Sequence, residues 1–258
     1  MLLAIDVGNT NTTFAIYDGE TMRGEWRIAT SDKRTADEYA AWLLSLMQLS
    51  RLSFDDIEAA IIASVVPQSD FNMKTLCRRY FEVDPRFIGD ENVTTGIRAR
   101  IDNPREVGAD RIVDAVGAHV KYGGPLIIID FGTATTFDVI DENGDFCGGV
   151  FAPGINLSLQ ALHMAAAKLP RVAVARPERV IGRNTQECMQ SGVFWGYVSM
   201  IEGIVTRIRE EWGVHMGTVA TGGLAPLFAE GTNAIDRIDQ DLTMNGLLEI
   251  HRRNSNLQ

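Results

Sequence analysis

Two segments of the chain share one pattern, and their spacing divides the chain nearly in half. Residues 2–10 read Leu-Leu-Ala-Ile-Asp-Val-Gly-Asn-Thr, and residues 126–133 read Leu-Ile-Ile-Ile-Asp-Phe-Gly-Thr. Each is an apolar run that ends in Asp-x-Gly-[Asn/Thr] and precedes a second strand-like run. Asp6 and Asp130 lie 124 positions apart (130 − 6) in a chain of 258 residues. The pattern predicts two similar halves, each built on a strand, a glycine turn and a returning strand.

Each turn offers groups that suit a phosphate. Gly8 allows the backbone to approach a ligand closely, and the turn from Asp6 to Asn11 adds backbone N–H groups and short polar side chains. Asp6 and a phosphate are both negative, so a metal ion, a water or a protonated partner must lie between them. One such turn is usually an ordinary β-turn, but a second turn, from Asp130 to Thr136, favours phosphate binding. Two facing hairpins would hold a nucleotide triphosphate from both sides.

Strand-like and helical segments alternate along both halves, which predicts an α/β protein. With 258 residues and 45% hydrophobic content, the chain can bury one large core or two moderate ones. We place an N-terminal lobe at residues 1–115 and a C-terminal lobe at residues 116–258. The predicted strands are 2–5, 11–17, 22–29, 59–66, 86–88, 126–130, 134–140, 145–151 and 218–220, and the predicted helices are 35–49, 70–81, 109–120, 156–167, 185–212 and 242–252.

The composition excludes some classes of partner. The formal net charge is −10 and the isoelectric point is about 4.9, whereas a nucleic-acid-binding face needs clustered Lys and Arg. No segment approaches the ~20 apolar residues of a membrane span. Asp6 also interrupts the N-terminal apolar run, so we expect a soluble, cytoplasmic protein. Cys77, Cys147 and Cys188 form no Cys-x-x-Cys pair, and we interpret each as a buried free thiol.

The common phosphate-binding and catalytic motifs are missing from the sequence. No Gly-Lys pair occurs, which excludes a Walker A loop, and Gly-x-Gly-x-x-Gly, His-Glu-x-x-His and Gly-x-Ser-x-Gly are also missing. Asp130-Phe131-Gly132 imitates a protein-kinase tripeptide, but the other protein-kinase motifs do not accompany it, so the match is chance. The sequence contains only four lysines. Positive charge for a phosphate must therefore come from Arg, backbone amides or bound cations.

A loop before the third predicted helix places a carboxylate next to a guanidinium. Pro104 and Gly108 stiffen this loop, and the first turn of the helix then holds Asp110 beside Arg111. Asp110 could simply stabilise the helix N-terminus. Alternatively, it accepts a proton from an attacking hydroxyl while Arg111 holds an anionic substrate. A carboxylate at a helix N-terminus is expected to have a low pKa, which phosphoryl transfer tolerates because the catalytic Asp mainly orients the hydroxyl.

Two further segments suggest a nucleoside platform and a subunit contact. Gly222 and Gly223 follow a strand at Thr221, where a double glycine fits a platform for adenine and ribose, although such turns are common. The long helix 185–212 has an N-cap at Asn184 and an apolar stripe of Val193, Phe194, Tyr197, Met200, Ile201, Ile204 and Ile208. Because Trp195 and Val198 lie off this stripe, we predict that apolar surface remains for a dimer contact, the alternative being a core helix.

At these residues the chain resembles the type III pantothenate kinases, members of the actin, sugar-kinase and chaperone-ATPase superfamily. The matching segments occur in the family's order and span nearly the whole chain. They are 6–11, 64–67, 103–111, 130–136, 153–155, 181–185 and 221–223.

The resemblance implies two lobes of ribonuclease-H-like, actin-like ATPase fold, each a mixed five-stranded sheet flanked by helices, with an ATP cleft between them. It implies ATP-dependent phosphorylation of pantothenate to 4′-phosphopantothenate, the first step of coenzyme A biosynthesis, in a homodimer. A monovalent cation, K⁺ or NH₄⁺, would bind at Asp130, and Mg²⁺ would accompany ATP. The implied ATP contacts are Asp6, Val7, Gly8, Asn9, Thr10, Asn11, Thr12, Thr13 and Thr133, with Gly222 and Gly223 beside the nucleoside. The implied pantothenate contacts are Gly108, Ala109, Asp110, Arg111 and Thr185, with Asp110 as the proton acceptor.

The chain departs from the family pattern at two places. Position 114 is Asp where many relatives have Asn, one helical turn beyond Asp110 on the same face. If both carboxylates faced the ligand, each would raise the pKa of the other. The loop around Ile101 also lacks an aromatic residue. Two other functions remain as alternatives: a phosphohydrolase on the same scaffold, and a non-catalytic ATP-binding regulator.

Overall fold

The architecture is taken from a computed structural model that describes residues 1–165 and 169–255. It contains two five-stranded mixed sheets of identical topology. The strands of the first sheet are β1 (Leu2–Val7), β2 (Asn11–Asp18), β3 (Thr21–Ala29), β4 (Ala59–Ser64) and β5 (Arg86–Phe87). Those of the second are β6 (Leu126–Phe131), β7 (Ala134–Ile140), β8 (Phe146–Pro153), β9 (Gly217–Thr221) and β10 (Arg237–Ile238).

The two sheets pair their strands in the same way. The first has the order β3-β2-β1-β4-β5 and the second the order β8-β7-β6-β9-β10. In each, three strands form antiparallel hairpins, and the last two run parallel to the first. The central strands β1 and β6 are continuous apolar runs whose residues are almost all buried, the pattern of strands covered on both faces. The prediction of a duplicated α/β fold with mixed five-stranded sheets is confirmed.

The described ranges contain seven α-helices. They are α1 (Ala36–Leu49), α2 (Pro67–Tyr80), α3 (Ala109–Tyr122), α4 (Ile155–Ala165), α5 (Thr185–Trp212), α6 (Ala225–Ala229) and α7 (Leu242–Ser255). Short 3-10 turns occur at Phe54–Asp56 and Pro104–Glu106. The predicted helix 156–167 matches α4 up to Ala165, and its residues 166 and 167 lie outside the described residues.

The first sheet is packed on both faces. Leu3 and Ile5 of β1 point to a core that contains side chains of α1 and α2, such as Leu43 and Leu76. The alternate residues of β1 point to the opposite core, formed with Val113, Val116, Met244, Leu247 and Ile250 of α3 and α7. In the second sheet, Ile127, Ile129 and Phe131 pack against Phe194, Val198 and Ile201 of α5 and Phe228 of α6.

The chain divides into two compact units with a boundary that differs from the predicted one. The first unit contains residues 1–120 together with the C-terminal segment from Leu242, and the second contains Lys121–Asp241. The sequence analysis assigned the C-terminal helix to the second lobe, whereas α7 packs in the first unit. Gly117 and Gly246 allow this packing, because a side chain on Gly117 would meet the Leu242 carbonyl at 2.5 Å and one on Gly246 would meet the Val113 carbonyl. The C-terminal segment of the chain therefore belongs to the same unit as its N-terminal residues.

Two cysteine predictions are wrong. Cys77 is buried as expected, but Cys147 is only half-buried and Cys188, in the first turn of α5, is exposed. In the described part of the chain, no helix combines the length and apolarity needed to cross a membrane.

Candidate active site

The first hairpin turn presents three polar side chains at the carboxyl end of β1. Asn9, Thr10 and Asn11 are exposed, and the Gly8 N–H donates to the Asn11 carbonyl at 3.0 Å to close the turn. Asp6, half-buried, pairs in register with Thr13. The exposed short polar side chains at this glycine turn are the kind of groups that an anion site uses.

Three of the predicted ATP contacts, Val7, Thr12 and Thr13, have buried side chains. Val7 is fully buried in the core of the first unit, so only its backbone is available to a ligand. Thr12 is also fully buried, and its hydroxyl is 2.9 Å from the hydroxyl of Thr30. Thr30 in turn donates to the Gly8 carbonyl at 2.6 Å, and its N–H donates to the Thr10 carbonyl at 2.9 Å. Thr12 and Thr30 therefore hold the turn in shape from behind.

Asp110 lies at the same edge of the first sheet as this turn. The Val65 N–H, just beyond β4, donates to the Val7 carbonyl at 3.0 Å. A Cβ on Gly108 would lie 3.3 Å from Val65 Cγ1 and 2.5 Å from Asp110 Oδ1. Gly108 therefore leaves the space into which the Asp110 carboxylate folds, beside a strand that neighbours β1. The first unit brings Asp6, Gly8, Gly108 and Asp110 to one sheet edge.

Burial raises the pKa of Asp110. Desolvation is the largest effect, and it outweighs the Arg111 N–H, which donates to Asp110 Oδ1 at 2.8 Å, and the Arg111 guanidinium, both of which lower the pKa. The sequence analysis expected a low pKa for a carboxylate at a helix N-terminus, and that expectation is wrong. A carboxylate with a raised pKa is a better proton acceptor.

Asp114 faces a different environment from Asp110. It is buried, and its Oδ1 accepts a hydrogen bond of 2.6 Å from the Thr243 hydroxyl of α7. The Asp114 carboxylate is therefore directed at α7, the last helix of the chain. Asp114 therefore serves the packing of α3 on α7.

The second hairpin turn surrounds the carboxylate of Asp130 with glycines. The Gly132 N–H donates to the Ala134 carbonyl at 3.0 Å, and Asp130 pairs in register with Thr136. A Cβ on Gly132 would lie 3.0 Å from Asp130 Oδ2, and one on Gly222 would lie 2.8 Å from Asp130 Oδ1. This turn is one residue shorter than the first, because Asp6 pairs seven positions ahead (13 − 6) and Asp130 six (136 − 130). We call Asp130, Gly132 and Gly222 the Asp130 cradle.

The Asp130 cradle fits a cation. A Cβ on Gly222 would also lie 2.7 Å from the Phe131 carbonyl oxygen, so a carboxylate and a carbonyl approach the same small space. Such oxygen atoms are the ligands of hard cations. No cluster of three or more His, Cys, Asp or Glu side chains with metal-binding geometry occurs among residues 1–165 and 169–255.

Thr133 and Thr185 lie in neighbouring parts of the second unit. Thr133 is exposed at the tip of the turn, and a side chain on Gly154 would collide with the Thr133 carbonyl. The Tyr197 hydroxyl donates to the Pro153 carbonyl at 2.7 Å and is 2.6 Å from Ser158 Oγ. Ser158, Tyr197 and Thr185 line one cavity of about 600 Å³ between α4 and α5. The predicted substrate residue Thr185 thus opens into a largely apolar groove.

The apolar surface of α5 differs from the predicted one. Val198 is buried in the core, so it does not form the expected free surface. Trp195 is partly buried and packs edge-on against Phe194 at 5.0 Å between ring centroids. Val193 and Met200 of the predicted stripe pack against this core, partly buried, and also line the groove. The N-cap prediction is confirmed, because Asn184 Oδ1 accepts from the Glu187 N–H at 2.9 Å.

One side chain beside the first turn was missed by the sequence analysis. Arg27 of β3 donates from Nε to Thr13 Oγ1 at 3.3 Å. Its signal in the sequence was an arginine on the strand after the hairpin, but only the strand register shows which residue of that strand reaches the turn.

Solved structures identify the class of fold. The chain aligns with a Baf family transcriptional activator from Campylobacter jejuni at 18% identity and a TM-score of 0.64, covering 98% of this chain and 99% of that one. It aligns with a 2-dehydro-3-deoxygalactonokinase from Sinorhizobium meliloti at 13% identity and a TM-score of 0.61, covering 98% and 96%. The duplicated sheets therefore have the actin-like ATPase fold, the fold of sugar kinases.

Sequence comparison narrows the class to one family. Residues 2–207 match the family described as type III pantothenate kinase. A type III pantothenate kinase from Paramagnetospirillum magneticum is 64% identical over 255 residues, covering 99% of this chain and 98% of that protein. The chain belongs to the type III pantothenate kinase family.

Proposed function

We propose that the protein transfers the γ-phosphoryl group of ATP to pantothenate and forms 4′-phosphopantothenate and ADP. One observation carries the catalytic part of this proposal. The Asp110 carboxylate lies half-buried, with a raised pKa, at the sheet edge that also carries the Asp6 turn. A proton acceptor and a phosphate-binding turn at one edge are the parts that a kinase needs.

The proposed reaction is an in-line displacement at phosphorus. The turn from Asp6 to Thr13 holds the phosphates through backbone N–H groups and the exposed Asn9, Thr10 and Asn11. Asp110 accepts the proton of the 4′-hydroxyl of pantothenate. The hydroxyl oxygen forms a bond to the γ-phosphorus, and the bond from that phosphorus to the ADP oxygen breaks. Because the transition state is loose, Asp110 mainly orients the hydroxyl, and its raised pKa favours acceptance of the proton.

The substrate contacts are proposed from the residues around Asp110. Gly108, Ala109 and Arg111 would bind pantothenate, with the guanidinium next to the carboxylate end of this organic acid. Thr185 would contact the same substrate, and Thr133, Gly222 and Gly223 would contact ATP. The open space at Gly223, where no atom lies within 4 Å of an added Cβ, supports a contact with a flat ligand there.

The cations are proposed from the Asp130 cradle. Asp130 and the Phe131 carbonyl would hold K⁺ or NH₄⁺, which supplies positive charge for the phosphates in a protein with a net charge of −10. Mg²⁺ would arrive with ATP.

We also propose that the protein acts in the cytoplasm as a homodimer. The groove of about 600 Å³ between α4 and α5 supports a subunit contact, because its lining is mainly apolar. Leu157 and Leu162 of α4 are also exposed. Apolar surface of this kind is typical of subunit contacts.

One experiment distinguishes the proposed kinase from a phosphohydrolase. Purified protein is incubated with Mg²⁺ and ATP, with and without pantothenate, and both ADP and 4′-phosphopantothenate are quantified. We expect ADP to form only with pantothenate and in equal amount to phosphopantothenate. ADP and free phosphate formed equally without pantothenate would contradict the proposal and favour the hydrolase. Binding of ATP with no turnover of either kind would favour a regulator.

A further inference from the structure

Strand β3 brings an arginine into register with the first hairpin turn. Asp6 of β1 pairs with Thr13 of β2, and Thr13 pairs with Arg27 of β3. Residues directly opposite each other on neighbouring antiparallel strands point to the same face of the sheet. Asp6, Thr13 and Arg27 therefore form one row across three strands, at the end of β1 that carries the turn.

The guanidinium of Arg27 is oriented but not enclosed. Its Nε donates to Thr13 Oγ1 at 3.3 Å, and Thr13 is itself buried, so this contact directs the side chain along the row. The side chain remains 57% exposed. Its Nη2 lies 3.9 Å from Glu25 Oε1, which is longer than a hydrogen bond. The Nη1–Nη2 edge, which binds phosphate oxygens in pairs, is thus accessible.

The charge of the turn gives this arginine a specific role. The segment from Asp6 to Thr13 contains one carboxylate and neither Lys nor Arg. A triphosphate brought there meets a negative side chain, and the turn itself supplies only partial positive charges. Arg27 is held by a residue of the turn and carries a full positive charge with the geometry that phosphate prefers.

We propose that Arg27 is a binding residue for the nucleotide triphosphate. It would contact phosphate oxygens through its Nη1–Nη2 edge while Thr13 holds its Nε. This inference rests on the proposed ATP site at the first turn, and it adds to that site the positively charged side chain of Arg27. A purely structural role of Arg27 would instead predict that its loss lowers stability and leaves the affinity for ATP unchanged. An exposed pair such as Arg27 with Glu25 contributes little to stability.

The test compares two arginines of the same strand. Arg27→Gln removes the charge beside the turn. Arg23→Gln removes another exposed charge four residues earlier, where Arg23 is 41% exposed and pairs with Asp18 at 3.1 Å. Dissociation constants for ATP, a non-hydrolysable ATP analogue and adenosine are measured by calorimetry on each variant and on wild-type protein. Thermal melting confirms that each variant is folded.

We expect Arg27→Gln to weaken ATP and analogue binding by about 10- to 100-fold, the range of one hydrogen bond to a charged group. Adenosine binding should change little, since it has no phosphate, and Arg27→Lys should recover part of the loss. In turnover assays the KM for ATP should rise more than the KM for pantothenate. Arg23→Gln should match wild type throughout.

The possible failures are separable. If wild-type protein binds ATP and Arg27→Gln binds it equally well, or if Arg23→Gln loses as much, the role of Arg27 is refuted while the kinase proposal stands. If ATP binding depends on Arg27 but no phosphopantothenate forms, the proposed acceptor is refuted and Arg27 keeps its role. Wild-type protein that binds no ATP would overturn both.

Discussion

Replacing Gly222 by alanine tests the Asp130 cradle most sharply. Gly222 has a φ of +87°, in the left-handed region, where a non-glycine residue costs about 1–2 kcal/mol. The added Cβ would also lie 2.7 Å from the Phe131 carbonyl oxygen and 2.8 Å from Asp130 Oδ1. Overpacking of this kind costs typically about 1–3 kcal/mol. The two effects together predict a destabilisation of roughly 2–5 kcal/mol.

The neighbouring glycine provides the matched control. A Cβ on Gly223 meets no atom within 4 Å, and Gly223 does not adopt a positive φ. Gly223→Ala should therefore change stability by no more than about 0.5 kcal/mol. The pair isolates the position of the methyl group, since both changes are the same in chemistry.

Scanning calorimetry of the two variants measures the difference. The predicted loss in Gly222→Ala corresponds to a melting temperature lower by roughly 4–20 °C for a chain of this size. Wild-type protein should also gain thermal stability when K⁺ is added, because a cation that binds only the folded state stabilises it, and Gly222→Ala should lose that gain. If Gly222→Ala melts together with Gly223→Ala and keeps the response to K⁺, the described cradle is incorrect.

The other predictions concern a carboxylate of the site, two thiols and a buried carboxylate, Asp239, that pairs with Lys121. Asp110→Asn should lower kcat by about 10²- to 10⁴-fold without lowering the melting temperature. Because burial raises the folded pKa of Asp110, wild-type protein loses stability relative to this variant as the pH rises through that pKa. The difference in melting temperature between the two proteins should therefore grow from acidic to neutral pH. An equal difference at every pH would contradict the raised pKa. Cys188, which is exposed, should react with a thiol reagent in the folded protein, whereas Cys77, buried with its pKa raised to about 12, should react only on unfolding; equal rates would refute this. Asp239→Ala removes a buried carboxylate that accepts hydrogen bonds from Lys121 Nζ at 2.7 Å and Tyr122 Oη at 2.8 Å. It should lower the free energy of unfolding, measured with denaturant, by about 1–3 kcal/mol. An unchanged unfolding midpoint would show that this carboxylate is dispensable.

The repeated hairpins were predictable because their signals are local. An apolar run that ends in Asp-x-Gly favours a buried strand and a tight turn, and the structure has β1 and β6 with their turns at Gly8 and Gly132. The same reasoning found the helix that begins next to Asp110. These features depend on neighbours in sequence.

The remaining features depend on contacts between distant residues. The apolar pattern of α7 in the sequence does not indicate which of the two sheets the helix covers. The close packing at Gly117 and Gly246 assigns it to the first unit. In α5, apolar residues surround most of the helix, so spacing alone could not separate buried Val198 from groove-lining Val193. Strand β10 has two exposed residues and leaves no periodic signal.

The chemistry of the site shows the same limit. The helix position of Asp110 suggested a low pKa, but desolvation beside Gly108 and Val65 dominates, and burial cannot be deduced from spacing. Arg27 reaches the first turn through strand register, which requires the pairing of β2 with β3.

The most direct test of the account follows the γ-phosphoryl group itself. Wild-type protein and Asp110→Asn are each mixed in excess with ATP labelled at its γ-phosphorus and with pantothenate, and a single turnover is followed. We expect wild-type protein to transfer the label to 4′-phosphopantothenate. Asp110→Asn should bind ATP with similar affinity but transfer the label about 10² times more slowly or worse. Label released as inorganic phosphate by wild-type protein, or transferred equally fast by Asp110→Asn, would contradict the account.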